Sequence, residues 1–124
     1  MNIDDVNLKK IFNLAIKNHK ENNFGVAEKL YQQILEINPT HFDSIFNLAS
    51  LSAQMKNLIK AKELFEKAIQ IKPNYVSAYN NLGSVFLELG NYYGALVSFQ
   101  NAISIDPNHI NARNNLSILL RSAQ

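Results

Sequence analysis

The sequence predicts an all-α protein, a right-handed solenoid of helical hairpins, and three observations support this prediction. Pro39, Pro73 and Pro107 follow one another at intervals of 34 residues, which is the period of a helix-turn-helix repeat. Apolar and small residues return in the same register along the chain. Turn-forming residues do so as well, and each repeat is therefore expected to hold two helices joined by a tight turn.

The repeating columns also indicate which helix faces are buried. In the first helix of each repeat a leucine is followed at once by a small residue, a pair that lets two helices approach closely. In the second helix an alanine is followed four residues later by an aromatic ring. The members are Leu14, Leu48, Leu82 and Leu116 with Ala15, Ala49, Gly83 and Ser117 in the first helices, and Ala27, Ala61 and Ala95 with Tyr31, Phe65 and Phe99 in the second helices.

The turn residues predict seven helices in chain order. Asparagine or threonine is expected to cap each helix after the first, and the proline ends the second helix of each pair because it cannot continue it. The expected caps are Asn23, Asn57 and Asn91 for the second helices and Thr40, Asn74 and Asn108 for the first helices. The predicted helices span 4–21, 24–37, 41–55, 58–71, 75–89, 92–105 and 109–122, within one domain over 1–124.

The third repeat resembles a full tetratricopeptide repeat (TPR) signature. The residues that carry the resemblance are Tyr79, Leu82, Gly83, Phe86, Gly90, Ala95, Phe99, Ala102 and Pro107. The resemblance implies three repeats, at 8–41, 42–75 and 76–109, followed by a capping helix at 110–124.

The other repeats depart from this signature at two columns. Asn18 and Ser52 occupy the column of Phe86, and Ile11 and Ile45 occupy the column of Tyr79, so looser packing is expected in the first two repeats. Arg113 occupies the Tyr79 column in the last helix. A polar residue on that face suits a terminal helix that meets water.

The composition argues against several classes of protein. Lys and Arg total 12 against 10 Asp and Glu, and a net charge of +2 is too small to drive nucleic-acid or membrane binding. No apolar run approaches membrane-spanning length, and the acidic start is unlike a secretory signal. The sequence therefore predicts a cytoplasmic protein. The absence of cysteine rules out thiolate chemistry.

The sequence predicts no catalytic residue, no metal site and no cofactor. His41 and His109 share a column two repeats apart, on the order of 20 Å, which is too far to share a metal. They are expected to be loop or capping residues, and His19 is expected to be a solvated surface residue. An enzyme is therefore not expected. RNA binding is not expected either, because the lysines cluster in the first helix and do not recur with the repeat.

The predicted ligand site is the concave groove, which the first helices of such arrays line. One asparagine recurs in every first helix, and a carboxamide can both donate to and accept from the backbone of an extended peptide. The predicted peptide-binding residues are Asn13, Asn47, Asn81 and Asn115, the flanking Phe12, Phe46, Asn80 and Asn114, and Ser50 and Ser84. An equally weighted alternative is that the asparagine column reflects TPR ancestry and an asparagine-rich composition.

These residues predict a scaffold that binds a protein or peptide partner. The alternative is a recognition or adaptor region of a larger enzyme such as a glycosyltransferase. The asparagine column resembles that of the TPR region of O-linked N-acetylglucosamine transferases, where such residues hold substrate and adaptor peptides. A carboxylate clamp of the chaperone-binding kind is not expected, because Phe12, Ser77 and Asn81 occupy its basic columns.

Weak homodimerisation through the first helix is also predicted. No repeat precedes this helix in the sequence, so its apolar residues are expected to remain uncovered. They are Ile3, Val6, Leu8, Ile11 and Phe12.

Overall fold

The structure, a computed structural model, describes the backbone of residues 3–122 and the side chains of residues 5–122. Within this part of the chain there are seven helices and no strand, which confirms the all-helical prediction. Every predicted boundary lies within one residue of the observed one. The helices are α1 (Ile3–Lys20), α2 (Phe24–Ile37), α3 (Phe42–Gln54), α4 (Leu58–Ile71), α5 (Val76–Glu88), α6 (Tyr92–Ile105) and α7 (Ile110–Ser122).

The helices form two layers. Each helix packs against the next one along the chain, and further contacts join α3 to α5 and α5 to α7. Because these alternate helices touch, the odd-numbered helices form the inner layer and the even-numbered helices form the outer layer. The inner layer lines the concave side of a helical repeat array, where a groove for an extended ligand is expected.

A left-handed residue stands in the turn of every repeat. Asn22, Lys56 and Gly90 have φ angles of 64°, 63° and 80°, and they follow one another at intervals of 34 residues. This conformation ends the first helix of each hairpin and lets the chain reverse. It costs glycine nothing, whereas a side chain with a Cβ is strained there.

The caps of the second helices lie where the sequence predicts them, at Asn23, Asn57 and Asn91. Among these three, Asn91 alone has a capping bond from its side chain, which accepts from the Gly94 N–H at 2.9 Å.

The predicted caps of the first helices, Thr40, Asn74 and Asn108, are wrong by one residue. Residues 38–41 form a turn closed by a hydrogen bond from the His41 N–H to the Asn38 carbonyl, so the helix begins one position later. His41 caps α3, and its Nδ1 accepts from the Ser44 N–H at 3.2 Å. Tyr75 caps α5, and His109 Nδ1 accepts from the Ala112 N–H at 3.2 Å. The capping role expected for both histidines is confirmed.

The buried aromatic column sets how closely the two layers approach. Tyr31, Phe65 and Phe99 are fully buried between the inner and outer helices. In the third repeat the ring of Phe99 lies over Gly83, and a Cβ on that glycine would lie 2.6 Å from Phe99 Cδ1. The leucine and small-residue columns therefore work as predicted in this repeat, because the missing side chain makes room for the ring.

Arg113 takes over a contact that the tyrosine makes one repeat earlier. The Tyr79 hydroxyl donates to the Pro73 carbonyl at 2.9 Å, and Arg113 Nη1 donates to the Pro107 carbonyl at 2.9 Å. Both pairs occupy the same columns of the repeat. Arg113 thus holds the last turn to α7 while keeping a charged group at the surface.

The predicted apolar residues of α1 are less exposed than expected, whereas Leu14 of the same helix is 49% exposed. Leu8 is buried, while Ile11 and Phe12 are half-buried. Val6 is 36% exposed, and the side chain of Ile3 lies outside the described residues. Self-association through this helix stays a prediction.

Candidate peptide-binding groove

Two adjoining cavities, both open to the surface, lie along the inner layer. The first, of about 270 Å³, lies between α1, α3 and α5, and the second, of about 330 Å³, lies between α1 and α3. His19, Ser50, Ala53, Gln54, Phe65, Asn81, Ser84, Val85 and Glu88 line the first, and Ile16, His19, Lys20, Asn22, Asn47 and Gln54 line the second. His19 and Gln54 belong to both cavities, so the two form one continuous groove.

A hydrogen-bonded chain of three side chains lies where the cavities meet. His19 Nε2 lies 2.5 Å from Gln54 Oε1, and His19 Nδ1 lies 3.1 Å from the Tyr31 hydroxyl. Because an amide oxygen can only accept, Nε2 carries the proton, and Nδ1 then accepts from the hydroxyl. The prediction of a solvated His19 is wrong, since this side chain is half-buried and bonded on both ring nitrogens.

Tyr31 is the polar member of an otherwise phenylalanine column. Its ring is fully buried, and burial raises the pKa of its hydroxyl to about 12 because the phenolate loses hydration. The hydroxyl therefore stays protonated and remains a donor to His19. A buried hydroxyl needs such a partner, which explains why His19 accompanies Tyr31 in the first repeat.

The four predicted asparagines have different surroundings. Asn47 lines the second cavity, and its Nδ2 donates to the Asp43 carbonyl in its own helix at 2.7 Å. Asn81 lines the first cavity, and its side-chain amide has no hydrogen-bond partner within the described residues. Asn13 is exposed and lines a separate cavity of about 330 Å³ near the start of the array. Asn115 Nδ2 donates to Asn80 Oδ1 at 3.0 Å.

The flanking column lies at the contacts between repeats. Phe12 packs against Tyr31 and His41, with ring centroids 6.3 and 5.6 Å away. Phe46 packs against Phe65 and Tyr75 at 5.8 and 5.1 Å.

The two asparagines of this column differ. Asn80, only 8% exposed, is held by Asn115 of the next helix, whereas Asn114 is exposed and lines a groove at the end of the array. The two serines lie in the first cavity. Ser50 and Ser84 donate to the carbonyls of Phe46 and Asn80 in their own helices, at 3.2 and 3.3 Å, and their oxygens can still accept from a ligand.

Several residues that line the groove are absent from the predicted set, among them the polar side chains of His19, Gln54 and Glu88. Gln54 and Glu88 each come four residues after a serine that was predicted, Ser50 and Ser84, so they lie on the same helix face one turn later. That spacing could have identified them. Glu88 also pairs with Lys56 at 3.0 Å, which leaves the first cavity close to neutral, while the exposed Lys20 carries a positive charge at the second.

No metal-binding cluster is present among the described residues, since no three His, Cys, Asp or Glu side chains come together there. None of the helices described is long and apolar enough to cross a membrane. The groove instead offers amides, hydroxyls and an imidazole, which are groups that bind a peptide backbone by hydrogen bonds.

The architecture, an inner and an outer layer of helices with a 34-residue period, defines a helical repeat protein of the class that presents a concave binding surface. Three family models match the chain. Two are described as "Tetratricopeptide repeat", at residues 30–63 and 76–109, and one as "TPR repeat", at residues 53–90. Together they run from residue 30 to residue 109, and the chain belongs to the tetratricopeptide repeat family.

Solved structures share this fold at low sequence identity. MamA superposes with a TM-score of 0.90 at 20% identity, over 94% of this chain and 68% of that one. The first TPR of Spaghetti (RPAP3), bound to the HSP90 peptide SRMEEVD, superposes with a TM-score of 0.88 at 19% identity, over 94% and 92%. Identities this low show a common fold and nothing finer.

A larger enzyme also contains this fold. The O-GlcNAc transferase of Thermobaculum terrenum superposes with a TM-score of 0.88 at 22% identity, over 97% of this chain. This chain corresponds to only 23% of that transferase. A comparison with curated protein sequences gives no match.

Proposed function

We propose that the chain is a protein-interaction scaffold that binds an extended peptide segment in the groove between α1, α3 and α5. The TPR fold supports the general role, because such arrays present their concave surface to partner proteins. The related fold in complex with an HSP90 peptide supports a peptide as the ligand. The proposal goes further by assigning the contacts to Asn47 and Asn81.

The observation that carries the proposal is the environment of Asn81. Its carboxamide is half-buried in a cavity of about 270 Å³, next to Ser84, and has no partner within the described residues. A half-buried amide of this kind can offer a donor and an acceptor to one peptide unit of a bound strand. Asn47, one repeat earlier, has one N–H committed to Asp43 and keeps its oxygen and second N–H for a ligand.

The ligand we propose is neutral where it meets the first cavity and does not end in the groove with its carboxylate. Glu88 is paired with Lys56, and Phe12, Ser77 and Asn81 occupy the columns where a carboxylate clamp needs cations. Backbone recognition by amides tolerates different side chains, so we expect binding to depend weakly on the peptide sequence.

The test uses peptides selected from a random twelve-residue phage-displayed library against the wild-type chain, then synthesised with amidated ends. Replacing Asn47 and Asn81 by alanine should weaken their binding about 5- to 160-fold, at about 0.5 to 1.5 kcal/mol for each lost hydrogen bond. Isothermal titration calorimetry measures the affinities. The fold should be unaffected, because alanine is the better helix former.

Asn101→Ala is the matched control, since Asn101 is exposed on α6 in the outer layer and should leave the affinity unchanged. Equal affinities for the wild type and the double variant would contradict the assignment of the two asparagines. A large fall in melting temperature would instead show that these side chains stabilise the helix stack.

A second candidate function is the recognition region of a larger enzyme such as a glycosyltransferase. It is favoured by the superposition that covers 97% of this chain and 23% of the transferase. The two functions differ in the length of the natural polypeptide. Immunoblotting of the source cell with an antibody to residues 58–71 tests the second function, because a band near 14.0 kDa would leave no room for a catalytic domain.

A further inference from the structure

The second cavity of the groove, of about 330 Å³, differs from its neighbours in charge. Lys20 is exposed at this cavity, and no acidic residue is among the described residues that line it. The first cavity has Glu88, which pairs with Lys56, and the cavity near the start of the array has two aspartates beside one lysine. Within the described part of the chain Lys20 forms no salt bridge. The second cavity therefore has a positive charge that no ion pair there neutralises.

The side chain of Gln54 presents hydrogen-bond donors to this cavity. Its Oε1 lies 2.5 Å from His19 Nε2 and accepts the proton of that nitrogen. Its Nε2 has no acceptor within the described residues, and the side chain is exposed where it lines the cavity. The free atom of this amide is therefore the nitrogen, which can only donate.

Tyr31 fixes this orientation from inside the core. Its hydroxyl donates to His19 Nδ1 at 3.1 Å, so the proton of the imidazole stays on Nε2, where it meets Gln54. Without the hydroxyl, nothing holds the proton on Nε2. The amide could then turn, donate to the imidazole and present its oxygen to the cavity. Tyr31 is thus a positioning residue for Gln54.

The other walls of the cavity suit the same kind of ligand group. Asn47 donates one N–H to the Asp43 carbonyl at 2.7 Å, and its second N–H has no partner within the described residues. Amide N–H groups and an ammonium together favour an anionic oxygen, because hydrogen bonds to a charged group are the strong ones. Ile16 adds an apolar wall that methylene groups can contact. A carboxylate on a short aliphatic stem matches this combination.

We propose that the second cavity binds an acidic side chain of the peptide, a glutamate or an aspartate within its sequence, through Lys20 and Gln54. The inference rests on the proposed function, because the bound backbone brings the carboxylate to the cavity. Asn47 lines the same cavity, so the acidic residue lies close to the peptide unit that Asn47 holds. The cavity adds one side-chain preference to a mode of binding that otherwise depends on the backbone.

The probes are the twelve-residue peptides selected from the phage-displayed library against the wild-type chain. Their sequences should share a glutamate or an aspartate at one position. Each peptide is synthesised in two versions, one with the acidic residue and one with the corresponding amide in its place. The amide version should bind about three- to tenfold more weakly in isothermal titration calorimetry at about 0.15 M salt. Selected peptides without a shared acidic residue, or equal affinities of the two versions, would overturn the proposal.

Two lysines of α1 provide the matched comparison. Lys17 is exposed on the same helix as Lys20 and lines neither cavity, so Lys17→Met and Lys20→Met remove the same charge from different places. Lys20→Met should weaken binding of the acidic version about three- to tenfold and leave the amide version within about twofold. Lys17→Met should leave both within about twofold. Equal losses in the two variants would show a general attraction to a basic helix and overturn the proposal.

Two further variants test the orientation of the amide. Gln54→Glu keeps an acceptor for His19 and replaces the N–H donors by an anionic oxygen, so it should favour the amide version over the acidic one. Tyr31→Phe gives the first repeat the residue that the next two have in this column. It should lower the affinity ratio of the acidic to the amide version at least about twofold while the amide version binds as before. An unchanged ratio in either variant would overturn the proposal.

The double variant Asn47→Ala and Asn81→Ala separates this inference from the proposed function. If it loses affinity while the wild type binds both peptide versions equally, the backbone contacts stand and the acidic site is refuted. If it keeps its affinity and still prefers the acidic version, the acidic site stands and the backbone contacts are refuted. A library that yields no binding peptide would overturn both.

Discussion

The second and third repeats have the same helix lengths, but their cores are built differently. In the third, the ring of Phe86 packs on Gly94, where a Cβ would lie 2.9 Å from its Cγ. The second repeat has Ser52 in the column of Phe86 and Lys60 in the column of Gly94. The larger side chain therefore comes from the second helix of this repeat, whereas in the third repeat it comes from the first helix. Ser52 is fully buried and donates to the Leu48 carbonyl at 2.8 Å. The backbone frame is thus compatible with more than one distribution of side-chain volume.

The outer helices of these repeats also differ in charge. Helix α4 contains Lys60, Lys62, Glu63, Glu66 and Lys67, and Lys60 pairs with Glu28 of α2 at 3.2 Å. Helix α6 has no charged residue, and it exposes Tyr92 and Tyr93 to 64% and 77%. In the third repeat Phe86 and Phe99 pack onto the glycines Gly94 and Gly83, whereas the second repeat has a cluster of aromatic rings and a charged exterior. The rings of this cluster are Phe42, Phe46, Phe65 and Tyr75.

The largest expected change in stability comes from replacing Phe86 of the third repeat by serine, the residue that the second repeat has at this position. Phe86→Ser removes a ring that packs against Gly94 and the Phe99 cluster, and we expect a loss of about 3 kcal/mol in the free energy of unfolding. Urea denaturation followed by circular dichroism measures it. Tyr93→Ser removes an exposed ring from the same repeat and should change stability by less than about 0.5 kcal/mol. Similar losses in both variants would refute the difference in packing.

An intermediate effect is expected at the small-residue column. Gly83→Ala should destabilise the chain by about 1 kcal/mol, because the added Cβ meets the Phe99 ring and this outweighs the better helix propensity of alanine. The control is Gly25→Ala, where nothing lies within 4 Å of the added Cβ, and which should stabilise by about 0.5 kcal/mol. Thermal melts of the two variants should therefore move in opposite directions. A shift of the same sign in both would show that the Phe99 ring gives way freely.

The smallest expected effect concerns the left-handed turn. Lys56→Gly should stabilise the second repeat by about 0.5 to 1 kcal/mol, because it relieves the strain at a φ of 63°. The variant also loses the pair with Glu88, but that pair is well exposed and contributes little. Lys56→Ala removes the pair and keeps the strain, so it should be neutral or slightly destabilising. Gly90→Lys, the opposite change at the same position of the third repeat, should lower stability by a similar amount. A lower free energy of unfolding for Lys56→Gly would contradict the strain argument.

The fold could be predicted from the sequence almost completely, because it depends on local signals that repeat. The predicted ends of all seven helices lie within one residue of the observed ends. They were placed by the prolines, the small-residue column and the asparagine before each second helix. The caps of the first helices were predicted one residue too early, because the sequence alone allows Thr40 to cap α3. The turn over residues 38–41 places Thr40 before the cap position, and only the backbone structure shows this turn. His41 takes the role instead.

The site was less predictable, because a column gives the position of a residue on its helix and not its neighbours. Asn80 and Asn81 are adjacent in sequence, yet Asn80 is bonded to Asn115 from another repeat while Asn81 faces a cavity. His19 was expected to be solvated for the same reason. One signal was present in the sequence. The first repeat has Tyr31 where the others have phenylalanine, and it also has His19 where they have Ala53 and Leu87.

The pairing of each helix mainly with its sequence neighbours has a consequence for how the chain folds. Most contacts between helices join neighbours in the sequence, such as α1 with α2 and α2 with α3. The residues that meet in the native state are therefore separated by few residues along the chain. Such low contact order favours rapid folding that can start at one hairpin and spread to its neighbours. The densely packed α5–α6 hairpin is the natural starting point, and α1 and α7, each covered on fewer sides, should exchange their amide hydrogens first.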